Sequence, residues 1–167
     1  MKKIPTIIIK LHSFLNNLQP FWFIVVMTFL SLILIIPFIP IILLLEFCFG
    51  AMKGPNLKLT LEDIILGVVI IPPIETFLGQ WLVIKSLRRI KKLRDQDFFI
   101  GFVSALVFGL WHTYSVAYIF FGFLVGVFLA YSFILYEHKK KSPFWTVTAI
   151  HSFRNFISII LSTFLDF

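Results

Sequence analysis

Residues 68–83 read VVIIPPIETFLGQWLV, an apolar run that contains one carboxylate, Glu75, and two consecutive prolines. With its apolar neighbours, this run is long enough to cross a bilayer as a helix. A charged group at membrane depth is costly and faces the protein interior rather than lipid, so Glu75 is a candidate for chemistry. Pro72 and Pro73 remove backbone hydrogen bonds beside it. The stretch predicts an interrupted membrane helix with a functional glutamate.

The composition of the whole chain agrees with a membrane setting. Of its 167 residues, 59% are hydrophobic, 18% aromatic and 14% charged, and the mean hydropathy is +0.98. These values lie outside the range of soluble globular proteins. The length allows about five spans of roughly 20 residues each. We expect an all-α integral membrane protein without a soluble domain.

An interfacial N-terminal segment, residues 1–20, is expected to precede a single transmembrane helical domain, residues 21–167. Its five predicted spans lie at about 21–47, 62–84, 98–116, 117–137 and 144–165. The first span contains Pro37 and Pro40, which predict a kink.

The basic residues predict the orientation of these spans. When the spans cross alternately, one side collects Lys2, Lys3, Lys10, Lys85, Arg88, Arg89, Lys91, Lys92, Arg94, Lys139, Lys140 and Lys141. An excess of Lys and Arg marks the cytoplasmic side, so the N-terminus is expected inside and the C-terminus outside. The net charge of +7 then fits an anionic lipid surface, and no nucleic-acid partner is expected.

Two further apolar stretches carry polar groups. FVSALVFGLWH, residues 102–112, ends in His112, and TAIHSFRNF, residues 148–156, contains His151 and Asn155. His151 and Asn155 are four residues apart and therefore share a helix face. Together with Glu75, these are residue types from which a hydrolytic site could be built.

Small residues at four-residue spacing predict close packing of the third and fourth spans. Such rows let two helices approach closely. The link around residues 113–115 is short, so the two spans should form a tight antiparallel hairpin. The rows are Gly101, Ala105 and Gly109 in one span and Gly122, Gly126 and Ala130 in the other.

The candidate residues can form one site only if their side chains reach the same depth in the membrane. From a rise of 1.5 Å per residue, His151 lies about 10 Å, Glu75 about 15 Å and His112 about 21 Å from the cytoplasmic boundary. Straight helices do not bring them together. The break at Pro72 and Pro73, or helix tilt, has to close the gap.

Three segments in sequence order resemble the motifs of a known family, the CPBP (CAAX protease and bacteriocin-processing, Abi) family of intramembrane endopeptidases. The family motifs are E-E-x-x-x-R, F-x-x-x-H and H-x-x-x-N. The first motif keeps Glu75 but has Thr76 and Gln80 in place of the second acid and the arginine. The corresponding segments are ETFLGQ at 75–80, FGLWH at 108–112 and HSFRN at 151–155.

The resemblance implies a role for each residue. Glu75 is expected to act as general base, and His112 to hold the same water. His151 and Asn155 would donate hydrogen bonds to the oxyanion. Thr76, Gln80 and Phe108 are expected to support these residues as neighbours. A metal-free mechanism and a zinc mechanism both stay open, since Glu75, His112 and His151 also form a reasonable three-ligand zinc set.

Other interpretations of the same residues stay open at this point. Glu75 and Arg154 could form a buried ion pair between the second and fifth spans. His112 and His151 could ligate a haem, although their different depths oppose this. A transporter is disfavoured because no inverted repeat is visible. A non-proteolytic member of the family, such as a bacteriocin self-immunity protein, is the main alternative.

The function predicted from the sequence is therefore intramembrane peptide hydrolysis. The expected partners are membrane lipid and a hydrophobic or membrane-tethered peptide substrate, for example a bacteriocin precursor. The expected location is a cell membrane, as a multi-pass protein, in a bacterium.

Overall fold

The computed structural model describes residues 6–55 and 58–165, and all regular structure in this part of the chain is helical. The α-helices are α1 (Thr6–Asn17), α2 (Pro20–Ile33), α3 (Ile39–Phe49), α4 (Leu61–Ile64), α5 (Ile71–Glu75), α6 (Val83–Arg88), α7 (Asp97–Trp111), α8 (Val116–His138) and α9 (Pro143–Leu165). The all-α expectation is confirmed. Within the described residues, two helical segments are long and apolar enough to cross a membrane, Pro20–Phe49 and Val116–His138, and α7 is a shorter apolar helix.

The first long segment is interrupted at the predicted position. α2 and α3 are separated by a 3₁₀ turn at Ile36–Phe38, which contains Pro37, and Pro40 lies in the first turn of α3. Because proline has no backbone N–H, a continuous α-helix cannot keep its hydrogen bonds there. The prediction of a kink is confirmed.

Residues 61–88, which we call the composite helix, alternate between α and π geometry. Its start is fixed by Thr60, whose side-chain oxygen accepts a hydrogen bond from the Asp63 backbone N–H at 3.2 Å. π-helical segments at Ile65–Ile70 and Thr76–Leu82 flank α5. π-helical bonds widen the turn and rotate the following side chains relative to a regular helix. Glu75, the last residue of α5, lies between these two segments.

Two helix ends differ from the predicted span limits. The second span was predicted to end at about residue 84, but the composite helix continues to Arg88, where turns follow. In contrast, α7 ends at Trp111, whereas the third predicted span ran to 116. This second difference matters for the site because His112 lies outside the helix.

α7 and α8 form the expected close hairpin. A Cβ added to Gly126 would lie 2.9 Å from the Ala105 Cα, and one added to Gly109 would lie 2.8 Å from the Ile119 carbonyl oxygen. Only a residue without a side chain permits this approach of two backbones. α8 is the most buried helix, with Leu129 and Phe133 fully inaccessible, and it forms the centre of the bundle.

Charged residues join the composite helix, α7 and α8 at one end of the bundle. Arg88 pairs with Asp97 and with Glu137, each at 2.8 Å, and Lys85 pairs with Glu137 at 2.6 Å. His138 lies 2.7 Å from Asp97. Burial would raise the pKa of Asp97, but hydrogen bonds and positive charge from His138 and Arg88 outweigh it and hold that pKa below its ordinary value.

Candidate functional site

Glu75 lies at the centre of the candidate site. Its side chain is 17% exposed, and its two carboxylate oxygens face different histidines. One oxygen, Oε1, lies 3.6 Å from the His112 Nε2, and the other, Oε2, lies 3.3 Å from the His151 Nε2. The structure therefore brings these three predicted residues together.

His112 is oriented by the end of α7. A helix terminus leaves its last carbonyls without helical partners. The backbone N–H of His112 turns to the Gly109 carbonyl at 3.0 Å, so the Phe108 carbonyl is left for the imidazole. The His112 Nδ1 donates to that carbonyl oxygen at 2.6 Å. Because a carbonyl only accepts, Nδ1 carries a proton, and in the neutral ring Nε2 presents a lone pair toward Glu75.

His151 approaches the same carboxylate from α9. Its side chain is only 4% exposed. The Phe108 ring lies between the two imidazoles, with its centroid 4.6 Å from that of His112 and 5.5 Å from that of His151. The Phe108 ring therefore contacts both imidazoles.

The Asn155 side chain donates to the Gly67 backbone carbonyl, which has no helical donor because of the prolines. In the first π segment the Ile71 N–H donates to Leu66, and the residue five positions after Gly67 is Pro72, which has no N–H. The Gly67 carbonyl consequently lacks a helical donor, and the Asn155 Nδ2 donates to it at 2.9 Å. Asn155 thereby ties α9 to the composite helix, about two turns before Glu75.

Two local departures from regular helix geometry help to close the expected difference in depth. His112 leaves α7 and folds its ring back toward Phe108, while the composite helix around Glu75 departs from regular α geometry. Both effects bring side chains to one level that straight helices would hold apart.

The family model described as type II CAAX prenyl endopeptidase Rce1-like matches residues 56–157, more than half of the chain. This chain belongs to the Rce1-like family. The matched residues contain all three motif segments and the whole arrangement around Glu75. Comparison with the curated proteins finds no match, and comparison with the solved structures finds none either. The family is membrane-embedded, which agrees with the apolar helices of this chain.

The two positions at which this Rce1-like chain departs from the first motif are buried. Thr76 and Gln80 are both 0% exposed. The Thr76 hydroxyl and both polar atoms of the Gln80 amide lack hydrogen-bond partners among the described residues. They therefore make no hydrogen bond to Glu75 or the histidines, and the expected support of the site by these two side chains is not seen.

The structure does not contain the buried ion pair between Glu75 and Arg154 that the sequence allowed. Within the described residues, Glu75 lies at ion-pair distance from the two histidines, and Arg154 has no carboxylate at that distance. The guanidinium of Arg154 instead lies over the Phe121 ring, 5.0 Å from its centroid. A haem between the imidazoles is also opposed, because the Glu75 carboxylate lies between their ring nitrogens.

Two cavities meet at the Glu75 and His112 side chains. The first, of about 360 Å³, which we call the polar cavity, is lined by a mixture of apolar and polar residues, and the polar ones include His151, Arg154 and Asn155. The second, of about 230 Å³, is lined almost entirely by apolar side chains, among them Leu78, Leu82, Val83, Val107 and Trp111. Sequence reasoning set Arg154 aside and did not include Tyr118, although both line the polar cavity. An arginine inside an apolar span was the available signal for the first.

The donor set for a metal is present, but its arrangement does not match one. Two imidazoles and a carboxylate are chemically suitable zinc ligands. In the described ranges, however, no group of three or more His, Cys, Asp or Glu residues is arranged to hold a metal ion.

Proposed function

We propose that this Rce1-like chain is an intramembrane endopeptidase that hydrolyses a peptide bond in a hydrophobic or membrane-tethered peptide. The observation that carries the proposal is the Glu75 carboxylate held between His112 and His151 at the wall of a polar cavity inside apolar helices. Peptide hydrolysis needs a base for water, donors for the oxyanion and a space where both meet the substrate.

In the proposed reaction, Glu75 and His112 bind and activate the attacking water. The lone pair on the His112 Nε2 and a carboxylate oxygen of Glu75 both accept hydrogen bonds from one water molecule. When the water oxygen attacks the carbonyl carbon, its proton passes to Glu75. The same proton then passes to the leaving amide nitrogen as the carbon–nitrogen bond breaks, so Glu75 returns to its starting state.

His151 and Asn155 donate the hydrogen bonds that stabilise the oxyanion. The His151 Nε2 faces the same carboxylate and is close enough to donate to an oxyanion formed beside it. Asn155 has two amide N–H groups, and only one is needed for the Gly67 carbonyl. The second is free to donate to the oxyanion. One well-placed donor lowers the barrier by about 3–4 kcal/mol.

The two cavities suggest how a substrate lies across the site. Because Glu75 and His112 line both cavities, a peptide passing between them presents its scissile bond to both residues. The apolar cavity is suited to a hydrophobic side chain or a lipid-like group, and the polar cavity to the peptide on the other side of the bond.

We further propose that the chain is a five-span protein of a bacterial cell membrane, with its N-terminus in the cytoplasm. The charge cluster at Arg88, Asp97 and Glu137 lies at one end of the bundle, and the Lys139 amine donates to the Leu15 carbonyl at the same end. Basic residues grouped at one end support a cytoplasmic assignment for that end.

The test is cleavage of membrane-tethered reporter peptides by purified protein, with Glu75→Gln as the test variant. Glu62→Gln is the matched control, since Glu62 is an exposed carboxylate on the same composite helix. We expect the wild type and Glu62→Gln to cleave and Glu75→Gln to lose cleavage while keeping its fold. Equal cleavage by Glu75→Gln would exclude Glu75 as the base. Absence of cleavage by the wild type would favour the immunity-protein alternative.

A further inference from the structure

Arg154 is a buried cation that the mechanism above does not use. It is 5% exposed and lies on α9, one residue before Asn155 and three after His151. Among the described residues, its Nε has no hydrogen-bond partner, and no carboxylate lies at ion-pair distance. Its guanidinium lies over the face of the Phe121 ring. A buried charge without a partner is strongly destabilising, so a guanidinium placed in this way needs a reason.

The position of Arg154 supplies that reason, since it lines the same 360 Å³ cavity as Glu75 and His112. Charged side chains at membrane depth face cavities on ligand pathways and pair with an opposite charge. Glu75 does not serve as this partner, because its oxygens face the two histidines. Elsewhere in the described chain, Asp97 and Glu137 pair with Arg88 at the end of the bundle.

We propose that Arg154 is a substrate-binding residue that takes a carboxylate of the peptide close to the scissile bond. A guanidinium presents a planar fork that matches a carboxylate through two parallel hydrogen bonds. The carboxylate comes either from the C-terminus of the peptide or from an acidic side chain near the cleaved bond. This inference rests on the proposed function, in that it assumes the polar cavity to be the substrate cavity.

Binding of labelled peptides tests this inference without requiring cleavage. A short apolar peptide with an N-terminal fluorophore is prepared as the C-terminal acid, as the C-terminal amide, and as the amide with one internal glutamate. Each form is titrated with the full chain in uncharged lipid nanodiscs. The proteins compared are the wild type, Arg154→Gln and Arg89→Gln, because Arg89 is an exposed arginine outside the cavity.

We expect the wild type and Arg89→Gln to bind one of the acidic forms roughly ten- to hundred-fold more tightly than the neutral amide, the range of a charge-assisted hydrogen bond. Preference for the C-terminal acid identifies the terminal carboxylate, and preference for the internal glutamate identifies a side chain. Arg154→Gln should lose the preference and bind the amide as the wild type does.

Two results would overturn the inference: equal binding of all three peptides by the wild type, or an undiminished preference in Arg154→Gln. If Arg154→Gln does not fold, Arg154→Lys keeps the charge without the fork and should show a reduced preference, and an unchanged one counts against the inference. Glu75→Gln should keep the wild-type preference. The proposed cleavage and the proposed carboxylate binding can therefore fail independently, because Glu75→Gln tests the first and Arg154→Gln tests the second.

Discussion

The hydrogen bond from Asn155 to the Gly67 carbonyl gives the most specific prediction of the structure. The bond exists because Pro72 cannot donate to that carbonyl. Replacing Asn155 by Ala leaves the carbonyl unpartnered inside the bundle, which costs about 1–3 kcal/mol of stability. In a Pro72→Ala background the new backbone N–H at position 72 can take over, so the same Asn155→Ala change should cost about 1–2 kcal/mol less.

The measurement is a double-mutant cycle on the free energy of unfolding in detergent micelles, followed by loss of helical circular dichroism. Ser132→Ala is the control, since Ser132 donates to the Phe128 carbonyl within α8, away from the composite helix. Its cost should be the same in both backgrounds. If Asn155→Ala costs as much with Ala at position 72 as with Pro, the capping argument is wrong.

The same variants separate stability from chemistry. If Asn155 also donates to the oxyanion, Asn155→Ala should lower kcat about 10²–10³-fold in both backgrounds. Pro72→Ala would then restore stability without restoring turnover. Recovery of both together would mean that Asn155 acts only by holding the composite helix in place.

Two further predictions concern the bundle around the site. Gly126→Ala should lower the free energy of unfolding by about 1–3 kcal/mol, because the new Cβ would lie 2.9 Å from the Ala105 Cα. Gly101→Ala should be tolerated, because its Cβ would lie 3.4 Å from a terminal methyl of Ile134. Thermal unfolding of the two variants side by side measures this, and similar losses would count against close backbone packing. For Asp97, the folded-state pKa lies below the ordinary 3.8, so its stabilisation is present above pH 3.8 and is lost as the pH falls through the folded-state value. Unfolding measured from about pH 6 to pH 3 should show a smaller acid dependence in Asp97→Asn than in the wild type, and identical curves would exclude this contribution.

The sequence predicts the helices well where one local rule decides them. Thr60 followed by Glu62 and Asp63 is a typical helix start, and the structure begins a helix at Leu61. Pro37 similarly marks the break between α2 and α3. The residue at which α7 ends has no such signal. The sequence predicts a short link around residues 113–115, but α7 already ends at Trp111, and His112 lies outside the helix.

The sequence could predict which residues form the site, but not the distances between their side chains. Polar residues in apolar spans and their motif spacing identify Glu75, His112, His151 and Asn155. Depth estimated from straight helices, however, separates His112 from His151 by about 11 Å, while both lie within 3.6 Å of Glu75 in the structure. The π segments and the turn at His112 depend on packing between helices. The sequence placed Arg154 only in a possible ion pair with Glu75, since only the folded bundle shows that, among the described residues, Arg154 has no carboxylate at ion-pair distance.

The irregular helix geometry and the chemistry of the site have a common origin. At two points near Glu75 the backbone departs from a regular helix, at Pro72 and at the end of α7, and each departure releases one carbonyl, that of Gly67 or Phe108. Asn155 donates to the first, and His112 donates to the second. Each bond fixes the orientation of its side chain and leaves one polar group for the substrate, the second amide N–H of Asn155 and the Nε2 lone pair of His112. The four-residue spacing of F-x-x-x-H therefore lets His112 bind the Phe108 carbonyl. A substitution that regularises either helix should misplace the group that acts on the substrate, even when the motif residues are kept.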